Sequence, residues 1–141
     1  MSRRFLLDAG PAQDFLQSRD PVFSRAQSEH RKGAKIGICY PTLGELRAGI
    51  ELSKTRNENM KRLRRELGNL LLWPFDAKAA EESGRVFATL RRIGRSMQQI
   101  DMQVAAVALT LGDCTVVSFD SDLSAVPGLS VVDWSKETSR G

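Results

Sequence analysis

Carboxylates are the main chemistry this sequence offers. Asp8, Glu45, Asp101, Asp120 and Asp122 each stand where a strand or helix should begin or end. The chain has one histidine, His30, set in a polar stretch that reads as surface, and it has no glycine-rich phosphate loop. Like charges a few ångströms apart repel, so converging carboxylates must take up a cation or a proton. A set of oxygen ligands favours Mg²⁺ or Mn²⁺ over zinc. Each acid also has an ordinary explanation. Asp8, before Gly10-Pro11, suits a helix N-cap. Thr42-Leu43-Gly44-Glu45 has the form of a capping box. Asp101 falls in the first turn of a helix, where the macrodipole favours negative charge. Asp120-Ser121-Asp122 has the composition of a turn.

The elements around these acids decide between the two readings. Short apolar strands are predicted at residues 4–8, 35–40, 70–75, 114–118 and 129–132. Helices are predicted at 11–17, from Pro21 to near Gly33, at 42–53, 57–71, 77–93 and 97–111. Asp76 caps the fifth helix, and Gly94 and Gly112 end the last two. Strands alternating with helices indicate an α/β fold with a parallel sheet. In such sheets ligands bind beyond the carboxyl ends of the strands. Asp8 ends the first strand, and Asp120 and Asp122 follow the fourth. Asp101 shares a helical face with Ala105 and Ala108, the face expected to lie on the sheet. Its carboxylate therefore projects toward the sheet edge. Four sites around one rim would not tolerate each other without a cation.

Composition sets the outer bounds. The chain has 141 residues, 41% hydrophobic and 27% charged, which suits one soluble domain. We expect a domain over residues 1–134 and a polar tail over 135–141. No apolar run reaches the ~20 residues of a membrane span, so a cytoplasmic protein is expected. Cys39 and Cys114 lie apart in apolar runs and read as buried free thiols, not as a disulfide or zinc motif. The net charge is +4. The bases gather at Lys54, Arg56, Lys61, Arg62, Arg64 and Arg65, and again at Arg85, Arg91, Arg92 and Arg95. Such runs are solvated helix faces or phosphate contacts. Trp73 and Trp134 sit in apolar contexts that favour core packing over base stacking.

Four segments together carry a family resemblance: Phe5-Leu6-Leu7-Asp8-Ala9-Gly10-Pro11, Pro41-Thr42-Leu43-Gly44-Glu45-Leu46, Ile100-Asp101-Met102-Gln103-Val104-Ala105-Ala106 and Val116-Val117-Ser118-Phe119-Asp120-Ser121-Asp122-Leu123. Their order and spacing resemble a PIN domain, and within that family the VapC-type toxin ribonucleases. The resemblance runs from Phe5 to Trp134. It implies a single-domain α/β/α sandwich around a central, mostly parallel sheet, and metal-dependent endoribonuclease activity. Asp8, Glu45, Asp101 and Asp120 match the catalytic acids. Asp8, Asp101 and Asp120 are the implied ligands of Mg²⁺ or Mn²⁺, and Glu45 either joins them or orients the attacking water. Ser118 and Asp122 are implied partners of those ligands. A cognate antitoxin and a homodimer are the implied protein partners, and RNA the substrate. One position departs from the family pattern. Ala9 stands where a Thr or Ser usually follows the first Asp, which puts the orientation of the ligand shell in question.

Two other readings compete. A PIN-like domain that binds nucleic acid without cleaving it is favoured only by Ala9. A phosphatase using Asp8 as nucleophile is disfavoured because position 10 is Gly, which breaks the Asp-x-Asp pattern. The RNA target has no visible base-reading motif.

Overall fold

The structure is a computed structural model that describes residues 3–136. The tail expected at 135–141 therefore lies mostly outside the described residues. In chain order the elements are β1 (Arg4–Leu7), α1 (Ala9–Leu16), α2 (Val22–Arg31), β2 (Lys35–Cys39), α3 (Tyr40–Glu51), α4 (Arg56–Glu66), β3 (Leu71–Trp73), α5 (Ala77–Arg92), α6 (Gln99–Leu111), β4 (Cys114–Val117) and β5 (Ser130–Val132). Single 3₁₀ turns at Leu67–Asn69 and Ser121–Ala125 complete the set. All the expected strands and helices form, most boundaries moving by three residues or fewer; the helix expected at 57–71 ends five residues early, at Glu66, and continues only as a 3₁₀ turn before β3.

The strands make one parallel sheet in the order β3-β2-β1-β4-β5. Alternation along each strand divides the core between the two faces. From β1, Phe5 and Leu7 join one cluster and Leu6 the other; from β4, Val117 and Val116 divide the same way. The first cluster is closed by Ala12, Phe15, Val22 and Ala26 of α1 and α2, with Met60 and Leu63 of α4. The second is closed by Ala79, Val86 and Leu90 of α5 and by Val104, Ala105 and Ala108 of α6. Helices on both faces of a parallel sheet are the expected sandwich.

Two boundary shifts matter for the site. The capping box expected at Thr42–Glu45 does not form. Helix α3 begins at Tyr40, with Cys39 at its N-cap and Pro41 in its first turn, a turn in which a missing N–H costs nothing. Thr42 is consequently buried and sits 3.5 Å from Cys39 Sγ. Helix α1 begins at Ala9, directly after Asp8. Asp76 does cap α5, accepting from Ala79 N at 3.0 Å.

Other expectations hold in part. Cys39 is fully buried while Cys114 is half-buried. Burial pushes both thiols up, that of Cys114 to about 12. Trp134 is buried, its ring centroid 5.0 Å from that of Phe5, and Trp73 is half-buried against the second cluster. His30 is exposed. Among the described residues no helix is long and apolar enough to cross a membrane.

Candidate functional site

The strand order creates the site. Strand β1 sends its chain to β2 on one side, while β4 lies on its other side. Connections leaving these neighbours diverge to opposite faces, which opens a crevice at the carboxyl ends of β1 and β4. Asp8 follows β1 and Ser118 follows β4 at this crevice. Their strands are in register, Leu7 beside Val117. The Asp8 N–H donates to the Val117 carbonyl at 2.9 Å, so pairing continues into the site.

Ser118 ties the two strand ends together. Its buried hydroxyl donates to Asp8 Oδ2 at 3.0 Å and accepts from the Asp120 N–H at 3.0 Å. Asp8 occupies the N-cap position of α1, yet its side chain makes no capping bond. The carboxylate is committed to Ser118 instead. Asp120 Oδ1 accepts from the Asp122 N–H at 2.9 Å, the local turn bond of an Asp before a short helix.

Asp101 enters from the opposite wall, in the first turn of α6. Helix α6 lies with Ala105 and Ala108 buried against the sheet, as their spacing from Asp101 implied. The carboxyl of Asp101 is pushed up to about 6. Burial is the largest cause, followed by repulsion from Asp8, Asp120, Glu45 and Asp122 in that order. Glu45, in the second turn of α3, is raised in the same sense, first by burial and then by Asp8. Freed from the capping box, Glu45 is available to this cluster. The structure thus brings the other four acids within electrostatic reach of Asp101.

A cavity of ≈ 520 Å³ opens over this rim, lined by Ser96, Met97, Gln98, Asp101, Asp120 and Asp122. No base lies among those residues. Arg95 approaches only the exposed Asp122, at 4.0 Å. With side chains as they stand, no three acidic, cysteine or histidine groups are close enough to hold one ion among the described residues. Nothing in the sequence marks Ser96 and Gln98 for the site. Gln98 is at the N-cap without a side-chain bond, and both residues line the cavity.

Comparison with known proteins agrees with the geometry. The PIN-domain profile matches residues 5–129. A curated relative, the tRNA(fMet)-specific endonuclease VapC of Shigella flexneri, is 28% identical over 132 residues, covering 94% of this chain and 98% of the relative. Its counterpart in Salmonella typhimurium is 28% identical over 72% of this chain and 76% of its own length. Among solved structures, VapBC2 of Rickettsia felis bound to a promoter DNA fragment superposes with a TM-score of 0.85 at 22% identity, covering 93% of this chain and 98% of that one. The architecture, the switch-point crevice and the matched span lead to one conclusion: the chain belongs to the PIN-domain family.

Proposed function

We propose that the chain is a VapC-type toxin endoribonuclease that hydrolyses RNA phosphodiester bonds at a Mg²⁺ or Mn²⁺ site formed by Asp8, Asp101 and Asp120. The supporting observation is the meeting of acids from separate segments at the sheet's switch point, where burial first and then their charges raise the carboxyl of Asp101. The donor chemistry fits the ion, being hard oxygen throughout. The curated VapC relatives act on tRNA(fMet), which supports RNA as the substrate class here.

When bound, the ion polarises the phosphate and lowers the pKa of coordinated water. The chain supplies the rest. Ser118 fixes one oxygen of Asp8 and leaves the other free to bind. Glu45 orients the attacking water and accepts its proton, a task its raised carboxyl suits better than an unperturbed one. Ser96 and Gln98 offer neutral donors to phosphate oxygens. No histidine base is needed.

A cognate antitoxin and a homodimer belong to the same reading. Tyr40, Leu52, Phe87 and Ile93 are large apolar side chains left exposed, which a partner surface would cover. Light scattering at micromolar concentration, with mass analysis of copurifying chains, tests this part; a bare monomer overturns it.

Cleavage of a mixed RNA pool with Mg²⁺ or Mn²⁺ tests the enzyme. Wild type is expected to cut, and Asp8→Asn and Asp101→Asn to lose about 100-fold or more, since even residues behind metal ligands are worth ~10–100-fold. Wild type that binds RNA but never cuts it would favour the non-catalytic reading that Ala9 suggests. Full activity in both variants would remove the site assignment.

A further inference from the structure

A second cavity adjoins the acidic rim and is unlike it. This groove of ≈ 330 Å³ runs between α1, α3 and α4, with Ala9 and Glu45 at one end. Helices α1 and α3 both leave parallel strands, so they run in the same direction away from the rim. From Glu45 to Ile50 the α3 side of the groove extends about 8 Å, at about 1.5 Å per residue. Its floor is aliphatic, including Leu46 and Ile50, and its far wall carries Asn59 and Arg62 of α4. The volume is at the small end for a ligand pocket, and suits one ring system better than a helix.

The polar wall has a defined hydrogen-bonding character. Ser53 Oγ donates to the Ile50 carbonyl at 2.7 Å, so it has no hydrogen left for Asn59. The Asn59 atom 3.1 Å from it must therefore be the amide nitrogen, which also lies 3.0 Å from Thr55 Oγ1. This orientation leaves the Asn59 carbonyl as an acceptor with no partner among the described residues. Arg62, three residues on and sharing that helical face, is exposed and takes part in no ion pair among the described residues. Its neighbours Arg56 and Arg65 are both occupied, by Glu51 and Glu66. One wall thus presents a free guanidinium fork beside a fixed carbonyl.

We propose that this groove is a nucleobase subsite, which holds a guanine next to the scissile phosphate and makes Arg62 and Asn59 specificity-determining residues. The proposal rests on the endoribonuclease reading of the adjoining site. A guanine offers O6 and N7 to an arginine fork, the commonest specific base contact, and its N1–H and exocyclic amino group to a carbonyl acceptor. The aliphatic floor takes the base faces. Specific RNA recognition of this kind targets unpaired bases, which can be turned out of a strand. The free positive charge of Arg62 also fits a polyanion better than an apolar peptide.

Two measurements test it together. In the first, the ends of RNA fragments from a random single-stranded pool are sequenced after cleavage by wild type and by Arg62→Lys, which keeps the charge and loses the fork. Wild type is expected to enrich guanine at one position flanking the cut, and Arg62→Lys to reduce that enrichment about tenfold, in line with the value of one bidentate contact. Because the readout is a ratio within each digest, a general loss of rate does not move it. In the second, Asp8→Asn protein is titrated with guanosine 5′-monophosphate while the Arg62 Nε–H resonance is followed by NMR, with the other three nucleotides as comparisons. A guanosine-selective shift supports the subsite even if wild type cuts no RNA, in which case only the endoribonuclease reading falls. Unchanged base preference in Arg62→Lys, or no guanosine-selective shift, overturns the subsite. So does a variant that keeps its base preference but loses a small copurifying protein, because the groove then serves protein docking.

Discussion

At the residue scale, Ser118 joins two of the acids, donating to Asp8 and accepting from the backbone of Asp120. Replacing it with alanine removes the restraint on Asp8 and leaves the Asp120 N–H without its acceptor. The stability cost is ~1–3 kcal/mol if that N–H finds no water. RNA cleavage is expected to fall by about 10–100-fold, the range for residues that orient ligands, and to fall in kcat more than in KM. Ser118→Thr keeps the hydroxyl and restores most of the activity; equal loss in both variants would reduce Ser118 to packing. Asp101 makes a different prediction. Its folded carboxyl titrates near 6 against an ordinary value of 3.8, so the folded state holds that proton more tightly than the unfolded chain. The resulting stability is fully present below about pH 3.8 and is lost as pH rises through 6. Asp101→Asn removes this dependence. Without divalent ions the variant should melt higher than wild type at pH 7.5 and level with it at pH 4. After discounting for partial exposure the difference is on the order of 1 kcal/mol, read by thermal melts across pH.

Elements were more legible in the sequence than their arrangement. Each strand and helix announced itself through periodicity, and Asp76, Gly94 and Gly112 marked ends that the structure keeps. Helix α3 was misread at its start, because the Thr42–Glu45 pattern satisfies a local rule that Pro41, two residues into the helix, overrides. The order β3-β2-β1-β4-β5 left no local trace, since strand neighbours are chosen by pairing between distant segments. The convergence of Asp8 and Asp120 therefore could be argued from strand ends, but their link through Ser118 could not. Gly37 shows the same limit. It looks like any glycine in an apolar strand, yet a Cβ there would lie 2.6 Å from the Leu71 carbonyl and 2.8 Å from the Trp73 ring. Gly37→Ala must push β3 away from β2, at a cost of ~1–3 kcal/mol typical of overpacking. Chemical denaturation should show this as a lower midpoint with an unchanged slope. An unchanged midpoint would mean that β3 shifts freely and contributes little to the sheet.

For the whole molecule, the acids at one sheet edge oppose the surrounding fold until a counter-charge arrives. Anything that binds the folded state alone stabilises it by mass action, by about 2.7 kcal/mol at a hundred times its dissociation constant. Mg²⁺ or Mn²⁺ should therefore raise the melting temperature by several degrees at pH 7.5 and constant ionic strength. Protons compete for the same oxygens, so the rise should shrink toward pH 5, where Asp101 becomes protonated. The metal and pH effects thus have opposite signs on one group: higher pH weakens the metal-free protein and strengthens its grip on the ion. Asp101→Asn and Asp8→Asn should each flatten the metal response, whereas Arg62→Lys, outside the acidic rim, should leave it in place. A thermal shift of equal size in wild type and Asp101→Asn would show that the ion binds elsewhere. The five acids would then be only a source of strain at the end of the sheet.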